Sequence, residues 1–418
     1  MLRGNLIMMR YIFFLLFFPF FTCATVLRVG QNVPYKNIQN AVKAAKARDT
    51  ILVMPGKYVV NNFILKKRLT FIGKNYPTIT GMGQKILEIQ ADSTSFYGFK
   101  FVDVATSYVN DNAALKFVRT TGGRVENCKF DTCFFAIYAS HSNYITINNN
   151  NVQSHYTDEA SSGNAIHAWY SNNLTITNNK VYGHRDGIYL EFVENSFIKN
   201  NYSHDNLRYG LHFMFSHNNT YSHNIFEHNG AGCAVMYSNN VTMLNNIFRE
   251  NWGSASYGML LKDIKDSRLE GNYFYHNSIG IHTDNSMRLL IKRNTFELNG
   301  WGLRIMGSCM ENTLTENDFI DNSFQIATNS QRNYNDFTGN FWSDYSGYDL
   351  NKDGKGDIPH RPVSLYTYMV TQNAPTVILM RSFIIDLLNL AEKVMPTITP
   401  ETLVDSAPLM KRHNAENR

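Results

Sequence analysis

The chain has 418 residues, of which 44% are hydrophobic and 17% charged, and a net charge of +5. That composition belongs to a folded protein and excludes a disordered or low-complexity chain. The positive balance is too mild to indicate a nucleic-acid partner, and none is expected.

Residues 1–24 differ from the rest. Arg3 and Arg10 precede an apolar run from Tyr11 to Phe18, and the small residues Thr22, Cys23 and Ala24 follow. A basic head, a short apolar core and a small-residue end read as a secretory signal cleaved near Ala24. The run is short for a membrane span, with a retained anchor as the alternative. Past this segment Cys128, Cys133, Cys233 and Cys309 remain, too few for a disulfide framework. They are expected to be buried free thiols.

An amphipathic stretch over 35–47 puts Ile38, Val42 and Ala45 on one helical face, and Asp49–Tyr58 then reads as a first strand and turn. This opening resembles the N-terminal cap of pectate-lyase-like β-helices. Beyond it an internal repeat takes over. An Asn followed two residues later by an apolar residue recurs at Asn150/Val152, Asn179/Val181, Asn224/Phe226, Asn246/Phe248, Asn272/Phe274, Asn294/Phe296, Asn317/Phe319 and Asn340/Trp342, with steps close to 22 residues. Asn201/Ser203 fills the remaining gap, and Ser203 is expected to break the column. Gly187, Gly210, Gly232, Gly258 and Gly280 each stand fourteen residues before one of these markers. A second polar column follows five residues after: Asn206, Asn229, Asn251, Asn277, Asn299 and Asn322, with His184 in the equivalent place.

A fixed segment joined by one variable corner describes one coil of a right-handed parallel β-helix, an all-β solenoid. Asn side chains stacked at a turn about 4.8 Å apart can hydrogen-bond along the column. Asn also tolerates the left-handed backbone that a sharp corner requires, so the column itself is expected to supply the corners. The organisation is then a signal at 1–24, the β-helix at 25–345, a closing turn and linker at 346–375, and an amphipathic helix with an extended docking tail at 376–418.

The strand after each repeat glycine alternates in and out. Its outward pairs read His167/Trp169, Tyr189/Glu191, His212/Met214, Ala234/Met236, Leu260/Lys262, His282/Asp284 and Arg304/Met306. Outward methionines are unusual. Met214 and Met236 are 22 residues apart, hence one rung apart, and His212 shares their face. Two thioethers and an imidazole suit Cu(I), a soft ion. His167, Glu191 and His282 on the same strip complete the candidate metal set, and Lys262 interrupts it. The alternative is an apolar patch covered by a loop or partner, with methionine as adaptable filler.

Asp349, Asn351, Asp353 and Asp357 around Gly354 have the spacing of a calcium-loop start, but His360 stands where an EF-hand needs Glu. A metal-free Asx-rich turn explains them equally. A helix is expected over 376–395, with Met380, Ile384, Leu387, Leu388, Val394 and Met395 apolar, and the tail adds Leu403 and Leu409. This element either caps the open end of the rod or docks a partner protein.

The segments Arg208–Ser216, Ala234–Ser238, Gly339–Asp344 and Asp353–Pro359, together with the tail from Leu387 through Met410, resemble the NosD family, periplasmic maturation proteins of nitrous oxide reductase. The resemblance implies a non-enzymatic periplasmic protein that accepts copper, as Cu(I), transiently. It also implies docking on an ABC-type permease with its ATPase at the membrane, a copper chaperone lipoprotein as donor, and nitrous oxide reductase as recipient, whose copper-sulfide centre it helps assemble. The rival reading on the same scaffold is a polysaccharide lyase or glycoside hydrolase. Such an enzyme needs clustered carboxylates, and Glu191 with Asp186 and Arg208 is the nearest approach. A passive surface scaffold is a third reading, against which the docking-type tail counts.

Overall fold

The computed structural model describes residues 24–107, 109–330, 332–395 and 403–413. The expected signal, apart from Ala24, and the tail residues 396–402 lie outside the described residues. The chain winds through three parallel sheets of 14, 12 and 13 strands, taking one strand from each sheet per coil. Pairing is in register from coil to coil, so Ile188, Leu211, Cys233, Met259, Ile281 and Leu303 form one inward column. This is the right-handed parallel β-helix that the 22-residue repeat predicts.

The asparagine column forms as a hydrogen-bond ladder. Asn179 Oδ1 accepts both the backbone N–H and the Nδ2–H of Asn150, at 3.0 Å each. The same pair of bonds repeats at Asn201, Asn224, Asn246, Asn272, Asn294, Asn317 and Asn340. Every ladder amide is thereby paired although it is buried, which is the condition for burying it at all.

Two expectations are corrected here. Ser203 does not break this ladder, because Asn201 carries it through. Ser203 interrupts the adjacent core column instead, where its hydroxyl donates to Gly210 O at 2.8 Å. The left-handed corners also fall one residue earlier than expected. Asn149, Asn178, Asn200 and Asn245 have φ between 52° and 57°, while the ladder asparagines do not. The ladder residue needs an extended backbone to reach its neighbour, so the turn is made just before it.

Below the ladder an aromatic stack runs Phe226–Phe248–Phe274–Phe296–Phe319–Trp342 with ring centroids 4.4–5.1 Å apart. The four cysteines are free and buried. Burial pushes the thiols of Cys128, Cys133 and Cys233 up to about 12, so they behave as core hydrophobes.

At the N-terminal end helix α1 (Ile38–Ala44) buries Ile38, Ala41 and Val42, and the Asn37 side chain caps it through the Asn40 N–H at 2.8 Å. The first strand is Val26–Val29, ahead of this helix, and it pairs with Thr50–Val53. The last strand is Phe341–Trp342.

The C-terminal region departs from a single helix over 376–395. It comprises α2 (Leu365–Gln372), a 3-10 turn at Ala374–Leu379 and α3 (Phe383–Val394). Pro375 falls at the start of the 3-10 turn, where a missing N–H is harmless, and Ser382 begins α3. Tyr366, Val370 and Ile385 of these helices pack on Phe324 at the side of the last coils, with Trp301, Met380 and Leu388 against them. The open end is closed by the tail, not by a helix. Leu403 is buried in the core, and Leu409 bridges to Phe341 and Lys355. Both were expected to face a partner. The tail folds back because the last coil offers unpaired backbone groups that its Asp405 and Leu409 satisfy. No helix among the described residues is long and apolar enough to cross a membrane.

Candidate functional site

The outward strip lies on the twelve-stranded sheet. One file of register partners runs Tyr138–His167–Tyr189–His212–Ala234, and the file beside it Ser140–Trp169–Glu191–Met214–Met236–Lys262. Met214 and Met236 are therefore direct neighbours, about 4.8 Å between strands, and His212 sits two residues from Met214 on the same face.

His212 faces outward and is nonetheless only 4% exposed. The rings of Tyr189 and Tyr209 enclose it, each with its centroid 4.8 Å away. Neither ring nitrogen of His212 has a hydrogen-bond partner. Tyr189 connects the parts of the site: its hydroxyl donates to Glu191 Oε2 at 3.2 Å, and its oxygen lies 3.9 Å from Met214 Sδ.

His167 stands two rungs from His212, with Tyr189 between them. Its ring packs on Tyr138 and Tyr189, and its Nδ1 is 2.9 Å from Asn164 Nδ2. Burial, followed by the Arg185 guanidinium, pushes His167 down to about 3, so it is neutral. His282 is three rungs beyond His212, past Ala234 and Leu260, or about 14 Å away. Burial and Arg304 push His282 down to about 4. The strip thus brings together His212, Met214, Met236 and Glu191, holds His167 behind Tyr189, and leaves His282 apart. Among the described residues no three His, Cys, Asp or Glu side chains converge on one point.

The carboxylates of the hydrolase reading do not form a pair in register. Glu191 has Trp169 and Met214 as its cross-strand neighbours, and Asp186 is fully buried with its Oδ1 on the Tyr209 N–H. In the closing turn, Asp349 accepts the N–H groups of Lys352, Asp353 and Gly354, Asp353 that of Lys355, and Asp357 that of Leu350. These oxygens do the work of an Asx-rich turn.

One feature adjoining the strip was missed. The residue after each outward pair is aromatic over five consecutive coils: His141, Tyr170, Phe192, Phe215 and Tyr237. All five have φ between 47° and 53°. Their rings stack at 4.4–5.4 Å, next to Trp169, Glu191, Met214 and Met236. Bulky residues rarely adopt this conformation. The sequence signal was an aromatic immediately after the strip at the coil spacing. With Asn172, Glu194 and His217, three of these rings line an open groove of about 280 Å³.

Residues 152–347 match the family model described as periplasmic copper-binding protein (NosD). A relative from Stutzerimonas stutzeri named probable ABC transporter binding protein NosD is 29% identical over 174 residues, 37% of this chain and 40% of that protein. One of the same name from Pseudomonas aeruginosa is 30% identical over 180 residues, 39% of this chain and 42% of that protein. The match thus spans about two fifths of the length of either relative. The catalytic domain of a GH87 alpha-1,3-glucanase in complex with nigerose superposes with a TM-score of 0.57 at 12% identity, covering 76% of this chain and 69% of that one, a likeness of fold alone. The strip from Glu191 to Met306 lies within the segment, residues 152–347, over which the chain is similar to that family.

Proposed function

We propose that this protein is a non-enzymatic periplasmic accessory protein that accepts Cu(I) as cargo and, docked on an ABC transporter, assists assembly of the copper-sulfide centre of nitrous oxide reductase. The observation that carries the reading is His212, a buried imidazole with two unpartnered nitrogens beside the register-paired Met214 and Met236. A buried polar group without a partner is costly and calls for an explanation. A soft cation held by the imidazole and two thioethers supplies one. Glu191 and the Tyr189 hydroxyl border the thioether of Met214, and His167 belongs to the wall of the site. The family description and the names of the relatives support copper and the transporter as the chemistry and the partner. A copper chaperone lipoprotein is the proposed donor. The exposed apolar face of α3 is the proposed contact with the permease.

The test is an anaerobic Cu(I) titration of the purified protein against a competing chelator, repeated with His212→Ala and with Met214→Ala/Met236→Ala. Both variants should lose affinity by an order of magnitude or more. Unchanged affinity in both would remove the site. Cleavage of an oligosaccharide that disappears with Glu191→Gln would replace this reading with the enzymatic one.

A further inference from the structure

Asp186 is fully buried on the outward side of the strip, and the copper reading assigns it nothing. Its Oδ1 accepts the N–H of Tyr209, its register partner, at 3.3 Å. That bond ties one carboxylate oxygen to the neighbouring strand and limits how the group can turn. Its Oδ2 has no hydrogen-bond partner. It lies 3.6 Å from Arg185 Nε and 3.8 Å from His212 Nδ1.

Arg185 Nε, Asp186 Oδ2 and both ring nitrogens of His212 are thus buried polar atoms without hydrogen-bond partners, gathered in one place. The ladder asparagines of the same rod are paired, whereas these four atoms lie side by side without hydrogen bonds. Such a cluster marks a place where the polar groups are arranged for something besides packing.

The arrangement distinguishes the two nitrogens of His212. The imidazole is held between the rings of Tyr189 and Tyr209. Nδ1 is the nitrogen within ion-pair reach of the carboxylate, which leaves Nε2 as the other donor. A neutral imidazole carries one proton, and the hydrogen bond made by one nitrogen decides what the other can do.

We infer that Asp186 is a positioning residue for His212: its Oδ2 draws the proton to Nδ1 and leaves the Nε2 lone pair for a soft cation. This rests on the copper reading of the strip. A direct ligand role for Asp186 fits less well, because a hard carboxylate oxygen is a poor donor to Cu(I). Arg185 shares this oxygen through its buried Nε, but its side chain is 23% exposed, so the rest of its guanidinium does not depend on Asp186. At 3.8 Å the His212 contact is longer than a hydrogen bond. It shortens once Nε2 holds a cation, because the bound charge strengthens the Nδ1–H as a donor. Carboxylate–imidazole–metal relays of this kind fix both ring orientation and tautomer.

The experiment pairs two readouts on the full protein and Asp186→Asn, an isosteric change that can keep the Tyr209 N–H bond. Long-range proton–nitrogen NMR on 15N-histidine protein reports the His212 tautomer without any metal, with His212→Gln identifying the signal. Cu(I) titration reports affinity. The wild type should show the Nδ1–H tautomer. Asp186→Asn should shift it toward Nε2–H and weaken Cu(I) binding by about 10- to 100-fold. An unchanged tautomer in the variant overturns the inference, whether or not affinity falls, because a merely structural carboxylate could also lower affinity. If the wild type binds no Cu(I), the copper reading fails by itself, and the tautomer comparison still decides whether Asp186 governs His212.

Discussion

Asp405 takes the place of the next asparagine beyond Asn340. Its Oδ2 accepts the Asn340 N–H at 2.9 Å, the bond that Asn340 itself provides to Asn317. The same oxygen accepts Trp342 Nε1–H at 2.9 Å, and Oδ1 accepts the Gly339 N–H at 2.9 Å. A ladder cannot end without leaving a buried donor, and a residue 65 positions away in sequence resolves it.

Asp405→Ala should therefore fray the rod from its C-terminal end. Hydrogen bonds to a charged acceptor contribute roughly 1.5–3 kcal/mol each, and losing these leaves buried donors exposed to no partner. Hydrogen exchange should quicken first in Asn317–Trp342 and spare the coils around Asn201. Uniform exchange along the rod would show that Asp405 does not cap it.

Within the ladder, Asn272 accepts the Asn246 N–H and Nδ2–H and donates to Met243 O and Asn294 Oδ1. Asn272→Ala should cost about 2–4 kcal/mol in denaturant unfolding. Asn200→Ala removes an exposed amide bonded to Asn178 at 3.3 Å and should cost well under about 1 kcal/mol apart from its corner preference. Equal costs would refute the ladder as a source of stability.

His184 begins the second polar column, where its N–H donates to Asn206 Oδ1 at 3.2 Å. It is fully buried, neither ring nitrogen has a hydrogen-bond partner, and burial pushes it down to about 3. The unfolded chain protonates this histidine near the ordinary value of about 6.5, the folded one only near 3. Stability from this group is thus complete above pH about 6.5 and declines as pH falls toward 3, by roughly 2 kcal/mol at pH 5. His167 and His282 act in the same direction. His184→Asn, which extends the asparagine column by one rung, should reduce the fall in Tm between pH 8 and pH 5. An identical fall in both proteins would exclude His184 as a source of acid sensitivity.

Helix α3 has two apolar faces of different standing. Ile385 is 4% exposed against the rod, whereas Phe383 is 73% and Val394 72% exposed. Leu387→Asp/Val394→Asp should leave Tm nearly unchanged and abolish co-purification with the proposed ABC transporter partner. Ile385→Asp should lower Tm, since it buries a charge. Retained co-purification in the outer-face variant would remove α3 as the docking element.

The rod was legible because its repeat is enforced at every coil. In-register stacking puts the same environment at each repeat position, so Asn150 through Asn340 and Phe226 through Trp342 had to recur at the coil spacing. The outward strip followed from the strand period, which also placed Met214 beside Met236. Ser203 was misjudged because its polar side chain suggested a break in a polar ladder. It stands two residues further on, in the core column, where it bonds to Gly210.

Local pattern sufficed for which residues face in and which face out, since backbone geometry alone sets that alternation. It could not tell how far an outward residue is covered. The enclosure of His212 by Tyr189 and Tyr209, and the approach of Asp186, arise where neighbouring coils bring separate segments together. The tail was read as partner-facing for the same reason: nothing in its composition reveals that Asp405 meets the last rung. Repetition carries its information in every coil, but a cap or a site is made once, from distant residues, and only tertiary packing determines who their neighbours are.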